Sequence, residues 1–165
     1  MNSTCLLIGG NLGNRIENLN TAKAFIKKNI GKIKTASSIY EAAAWGITEQ
    51  PDFLNQVLFV ETEFSADQIM KKILSIENKM GRIRTEKNAP RIVDIDILFF
   101  NNDIINEKGL IIPHPEIQNR KFVLIPLAEL SPDLFHPVIK KTVSKLLAEC
   151  KDELDVKLFK LPVYL

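Results

Sequence analysis

Lys87-Asn88-Ala89-Pro90-Arg91-Ile92-Val93-Asp94-Ile95-Asp96-Ile97-Leu98-Phe99-Phe100 sets two carboxylates one residue apart within an otherwise apolar run that reads as a strand. Side chains alternate across a strand, so Asp94 and Asp96 fall on one face, about 7 Å apart. Two like charges on a half-buried surface repel and lose hydration, which folding tolerates only when cations compensate. Oxygen donors without a nearby Cys or His cluster favour a hard ion, and Mg²⁺ held by one or two carboxylates plus substrate phosphates is the usual form. The bland alternative is a structural ion network with Arg91 or a lysine.

The neighbourhood favours the metal. Only five of the 22 basic residues are arginine, yet Arg82, Arg84, Arg91 and Arg120 all lie between positions 82 and 120. The planar guanidinium suits bidentate contact with phosphate, so this enrichment points to phosphate handling beside the carboxylates. Any positive field is local, because a net charge of +2 and the absence of basic runs with interleaved aromatics give no case for a nucleic-acid partner. Cys5 and Cys150 have neither disulfide-framework nor zinc spacing, so reduced thiols in a cytoplasmic protein are expected. No signal core or span of about 20 apolar residues is present, which speaks against secretion or a membrane.

At 165 residues, 45% of them hydrophobic, the chain reads as one domain over 1–165. Thr4 to Ile8 reads as a buried strand broken by Gly9-Gly10-Asn11-Leu12-Gly13-Asn14. Helical spacing from Ile16 to Ile26 then runs to a stop at Gly31. Strand-like content covers 32–42, a loop covers 45–52, and a long strand is expected from Phe53 to Phe64. Ser65 caps a helix bearing Ile69, Ile73, Ile76 and Met80 as far as Gly81. The Asp94 strand follows. This β-α-β-β-α-β order is that of an α+β ferredoxin-like two-layer sandwich, with two helices on one face of an antiparallel sheet. C-terminal additions comprise the Pro113-His114-Pro115 loop, an apolar segment from Phe122 to Leu130, a helix near Val143 to Cys150 and a strand near Val156 to Leu161. His136 reads as a surface residue.

Six ordered motifs resemble the 6-hydroxymethyl-7,8-dihydropterin pyrophosphokinases, folate-pathway enzymes that move pyrophosphate from ATP to a pterin alcohol. They are Ile8-Gly9-Gly10-Asn11-Leu12-Gly13, Gln50-Pro51-Asp52-Phe53-Leu54-Asn55, Glu77 with Gly81-Arg82-Ile83-Arg84, Ala89 to Asp96, Pro113-His114-Pro115, and Asn119-Arg120-Lys121-Phe122-Val123-Leu124. The resemblance implies that Asp94 and Asp96 hold two Mg²⁺ ions against the triphosphate of ATP, the co-substrate. It places Arg82, Arg84 and Arg91 on that triphosphate, and makes Arg82, Arg91, Asp94 and Asp96 the catalytic set. His114, Arg120 and Glu77 resemble further ATP contacts; on chemistry alone a histidine satisfied in a Pro-flanked turn is the better reading of His114, which the resemblance reverses, and Glu77 is equally a solvated helical residue. For the pterin the implied contacts are Asn55, Phe53 and Phe122, the wall segment containing Ala43 and Trp45, and Asp94. Segments 41–52 and 82–91 are expected to close over the ligands. Departures are Asn88-Ala89 ahead of Pro90, Gly10 where Ser is common, and Phe53 where Tyr is frequent. A monomer is expected.

Two rivals stand beside this. A metal-dependent nucleotidyltransferase accounts for the aspartates and arginines, but not for Asn55 with Phe53 and Phe122. A non-catalytic small-molecule-binding regulatory module needs neither. An amide carries donor and acceptor together, matching the edge of a 2-amino-4-oxo ring. Asn55→Ala is therefore expected to weaken pterin binding about tenfold or more while leaving ATP affinity nearly intact, as measured by calorimetry; unchanged pterin affinity refutes the assignment.

Overall fold

The computed structural model describes residues 1–44, 49–83 and 89–160. In chain order its elements are β1 (Asn2–Gly10), α1 (Arg15–Asn29), β2 (Lys32–Ala36), β3 (Tyr40–Ala42), β4 (Phe53–Thr62), α2 (Ala66–Lys79), β5 (Asp94–Phe100), β6 (Ile105–Glu107), β7 (Leu110–Ile112), α3 (Lys121–Leu130), α4 (Val143–Glu149) and β8 (Val156–Leu158). A short 3₁₀ turn, Ile117–Asn119, precedes α3. The main sheet is antiparallel at every pairing and runs β5-β1-β4-β3-β8, with β2 also lying against β4. β6 and β7 form a separate hairpin.

Local chemistry sets the helix starts. Asn14 caps α1 by accepting from Glu17 N–H, and Ser65 forms a reciprocal capping box with Gln68 at the start of α2. Alternation in the strands then sends residues to two separate cores. Leu6, Ile8, Leu54, Leu58, Ile95 and Ile97 pack under α1 and α2, whereas Cys5, Leu7, Val57, Leu98 and Phe99 pack under α3 and α4. A shift in the β1/β5 register between Cys5 and Leu6 lets the neighbours Leu98 and Phe99 share a face.

The expected two layers are therefore three. The C-terminal additions cover the second face of the sheet, because that face is apolar too and the Phe122 to Leu130 segment folds into α3 to bury it. The expected strand over 32–42 is also two strands. Between them Ser37 bonds to Val57 through both its main-chain N–H and its hydroxyl, while Gln56 Nε2 donates to Ser37 O, so the chain stays on β4 without continuing the ladder. His136 is not a surface residue: only 4% exposed, it accepts from Val138 N–H and Ile139 N–H at Nδ1 and sets its ring edge-on to Phe99. A tight turn returning through Lys140 leaves those two N–H groups inside, and the imidazole satisfies them.

Gly31 ends α1 for a reason the sequence did not disclose. Its φ is not in the left-handed region; instead a Cβ would lie 1.9 Å from the carbonyl oxygen of Glu61 on β4. Gly31→Ala must push helix and strand apart, so a loss of about 2 kcal/mol or more is expected in chemical denaturation, and an unchanged midpoint contradicts the packing described.

Candidate active site

β1 lies between β4 and β5, in a register that places Gly9 opposite both Asn55 and Asp94, and Leu7 opposite Val57 and Asp96. Directly opposed residues share a face, so Asn55, Gly9 and Asp94 form a row across three strands. Gly9 contributes no side chain to that row. A Cβ there would come within 2.4 Å of Asn55 Oδ1, so the glycine both opens the gap and lets the amide lie over β1. The resulting cavity is floored by Leu7, Gly9, Asn55, Asp94 and Asp96 and walled by Ala43, Phe53, Arg91, Arg120 and Phe122. The start of α3 thus closes over the sheet end that carries the carboxylates.

Charges on its anionic side are linked in a chain. Asp94 Oδ1 accepts from Arg82 Nη1 at 2.9 Å and Oδ2 from Arg91 Nη1 at 3.1 Å. The same Arg82 nitrogen donates to Glu77 Oε2 at 2.7 Å, and that oxygen also accepts the Ile95 N–H at 2.9 Å. Arg91 Nε donates to Ala89 O, and its guanidinium lies 5.5 Å from the Phe53 ring centre; Arg120 stands 5.7 Å from that of Phe122. Burial works against the charge of Arg82, but Asp94 and Glu77 hold its pKa above the ordinary value.

Asp96 is the strained member. Burial, then the charges of Asp94 and Glu77, push its carboxyl up to about 8, against the pull of Arg120 and Arg82. It also borders a second depression shared with Met70, Ile97, Gly109 and His114, so it stands between two recesses. His114 accepts the Glu116 N–H at Nδ1, which leaves the proton of the neutral ring on Nε2. Burial and then Arg120 lower its pKa.

The sequence that builds this cavity matches, over residues 5–132, the family model described as 7,8-dihydro-6-hydroxymethylpterin-pyrophosphokinase. The chain belongs to the pterin pyrophosphokinase family. Similar curated proteins include 2-amino-4-hydroxy-6-hydroxymethyldihydropteridine pyrophosphokinases from Synechocystis sp. (38% identical, covering 86% of this chain and 73% of the relative) and Haemophilus influenzae (35%, covering 93% and 96%). The folic acid synthesis protein FOL1 of Dictyostelium discoideum is 38% identical over 88% of this chain, which spans only 22% of that longer protein. Among solved structures, wild-type HPPK-DHPS of Plasmodium falciparum matches with a TM-score of 0.75 at 19% identity, over 90% of this chain and 44% of that one, a likeness of fold.

Of the residues expected at a pterin pyrophosphokinase site, the fold brings Ala43, Phe53, Asn55, Arg91, Asp94, Asp96, Arg120 and Phe122 to one cavity, with Arg82 behind Asp94 and His114 in the adjoining recess. Trp45 and Arg84 lie outside the described residues, as does part of each segment expected to close. Glu77 differs from the expectation of a nucleotide contact. Only 2% exposed, it faces Arg82 and the β5 main chain, because a carboxylate buried on α2 must be fully bonded; it holds the site from behind. Sequence reasoning gave no role to Gly9 or Asn11, although both stand in a quoted motif, since their importance is a matter of register. Gly10 is likewise set by its surroundings: a Cβ there would lie 2.2 Å from Ile92 O.

A carboxyl whose folded pKa exceeds its unfolded value of 3.8 keeps its proton where the unfolded chain has lost it, so it subtracts stability as pH rises from about 4 to about 8. Asp96→Asn removes that penalty. Thermal melting of the ligand-free protein is expected to show the variant level with the parent near pH 4 and increasingly more stable toward pH 8, while its turnover is lost; parallel curves contradict the assignment.

Proposed function

We infer that this protein transfers the β,γ-pyrophosphoryl group of ATP to the hydroxymethyl oxygen of 6-hydroxymethyl-7,8-dihydropterin, releasing AMP, a step of folate biosynthesis. The observation that carries this is the row Asn55, Gly9, Asp94. It sets a group suited to a pterin edge and a group suited to a cation-bound polyphosphate on either side of a gap with no side chain. Family membership over residues 5–132 supports the same reaction.

The pterin ring lies between Phe53 and Phe122, with its amide edge on Asn55 and its hydroxymethyl group toward the aspartates. The triphosphate enters from the side of Arg82, Arg91, Arg120 and His114. Attack on the β-phosphorus is in line, and the developing negative charge meets guanidinium groups already fixed by Asp94 and Glu77, which limits reorganisation during reaction. Orientation supplies the rest, since both substrates are held in one cavity.

Mg²⁺ is part of this proposal. Among the described residues no cluster of three or more Asp, Glu, His or Cys side chains is arranged to hold a metal, so Asp94 and Asp96 offer only two oxygen-bearing groups to it. That set fits ions whose other ligands are phosphate oxygens and water. Two bound Mg²⁺ ions would neutralise phosphate charge as the phosphorus changes partners.

The antiparallel order β5-β1-β4-β2, with α1 and α2 on one face, supports a ferredoxin-like core. Residues 1–165 are proposed to act as one domain and a monomer in the cytoplasm; among the described residues no helix is long and apolar enough to cross a membrane.

Incubation with ATP, Mg²⁺ and the pterin alcohol is expected to give AMP, whereas release of pyrophosphate would indicate nucleotidyl transfer. Arg91→Ala is expected to lower kcat on the order of 100-fold, with a smaller drop in denaturation midpoint than Arg82→Ala, because Asp94 keeps its bond to Arg82. Arg82→Ala should lower kcat and also the denaturation midpoint, because Glu77 then loses the Arg82 side of its pairing while remaining buried. Equal effects on kcat and KM for both would count against a transition-state role.

A further inference from the structure

α3 brings Arg120 and Phe122 to the cavity, yet its first turn is poorly held by the helix itself. The first N–H groups of a helix have no intrahelical partner, and Arg120 at the N-cap position offers them no side-chain acceptor. Pro126 stands four residues after Phe122, so the Phe122 carbonyl also lacks the donor that an unbroken ladder would supply. A residue far along the chain provides an anchor. Asp152 Oδ2 accepts the Lys121 N–H at 3.0 Å, and its Oδ1 accepts the Leu154 N–H at 3.0 Å. The carboxylate is thus fixed on both oxygens, with its charge at the positive end of the α3 dipole. Two residues after Leu154, β8 begins and pairs with β3, setting Val156 opposite Ala42, the residue before Ala43 of the cavity wall. At the far end of α3, Glu129 accepts from Tyr40 Oη at 2.6 Å and from Ser38 N–H at 2.9 Å. One end of α3 is therefore tied to β3 and its approach, and the other to the segment that pairs with β3.

We propose that Asp152 is a positioning residue for the pterin: by holding the Lys121 N–H it fixes the main chain that carries the Phe122 ring to the cavity. This rests on the assignment of Phe122 to the pterin. Phe122 is half-buried, packed against the core under α3 and α4 while also lining the cavity. Without the Asp152 bond the first turn of α3 frays, and the ring has to be ordered when the ligand binds. With the bond in place the stacking face stands ready, and that ordering cost is removed from binding. Asp152 lies outside the cavity lining and touches neither substrate in this arrangement.

The test is Asp152→Ala, which removes both acceptors, made in the parent and in Phe122→Leu, which keeps an apolar side chain but no ring. Calorimetry would measure the affinity for 6-hydroxymethyl-7,8-dihydropterin in saturating α,β-methylene-ATP and Mg²⁺. In the parent Asp152→Ala is expected to weaken pterin binding about fivefold or more, and in Phe122→Leu about twofold or less, because Asp152 acts through the ring. Affinity for α,β-methylene-ATP is expected to change about twofold or less in either background. Equal losses of pterin affinity in the two backgrounds, or no loss in the parent, overturn the proposal whatever the melting temperature does, since a residue that only stabilises the fold acts independently of the ring. A loss of nucleotide affinity as large as the loss of pterin affinity overturns it as well. Should Asp152→Ala fail to fold, the same comparison with Asp152→Asn decides, because the amide leaves one oxygen for two N–H groups. Pterin affinity unchanged by Phe122→Leu alone overturns the assignment of the ring and the positioning role with it; AMP formation by the parent, assayed separately, tests the reaction itself.

Discussion

Three carboxylates, Glu77, Asp94 and Asp96, converge where β5 begins, and the site depends on how their repulsion is relieved. Two arginines do most of it. Arg82 lies between Glu77 and Asp94, and Arg91 takes the remaining oxygen of Asp94, so Asp94 is held on both of its oxygens. Asp96 gains less relief: burial first, and then the charges of Asp94 and Glu77, raise its proton affinity against the pull of Arg120 and Arg82. Such an arrangement is poorly balanced as a purely structural network, because apolar residues of similar volume would remove the desolvation penalty altogether. It suits a surface that receives a polyphosphate together with its counterions.

Backbone geometry decides where that charge faces. Gly9 lies in a row with Asn55 and Asp94, and its missing side chain forms the floor between them. Sheet, α3 and the arginine chain then become one construction: α3 covers the otherwise exposed second face, its first residues bring Phe122 over the floor, and Arg120 comes with it. Asn11, two residues beyond Gly9, continues the same strand end into the loops on either side. Cavity floor and loop contacts thus meet at one strand end, Gly9 to Asn11.

Much of the fold was legible because it arises from local chemistry. The capping Ser65, the helical spacing of Ile69, Ile73 and Ile76, and the alternation in Phe53 to Thr62 each act within a few residues. Asp94 and Asp96 were legible for the same reason, since their shared face follows from the period of a strand. Glu77 and His136 were not. A glutamate on a helix and a histidine beside a proline look solvated until the packing of distant elements buries them, and only then do Ile95 N–H in one case, and Val138 and Ile139 N–H in the other, become their partners.

The amino-acid order by itself determined β1, α1, β4, α2 and β5 in their order, the paired aspartates and the local wealth of arginine, all of which depend on neighbours a few positions apart, but not the division of 32–42 into two strands or the β6–β7 hairpin. Only the tertiary structure decided that a third layer forms, that Gly31 is required by the approach of Glu61 rather than by its own φ, and that Asn11 joins residues 39 and 80 positions away. These are contacts across strand registers and between layers, and a register has no local signature: it is fixed when whole faces of the sheet bury together.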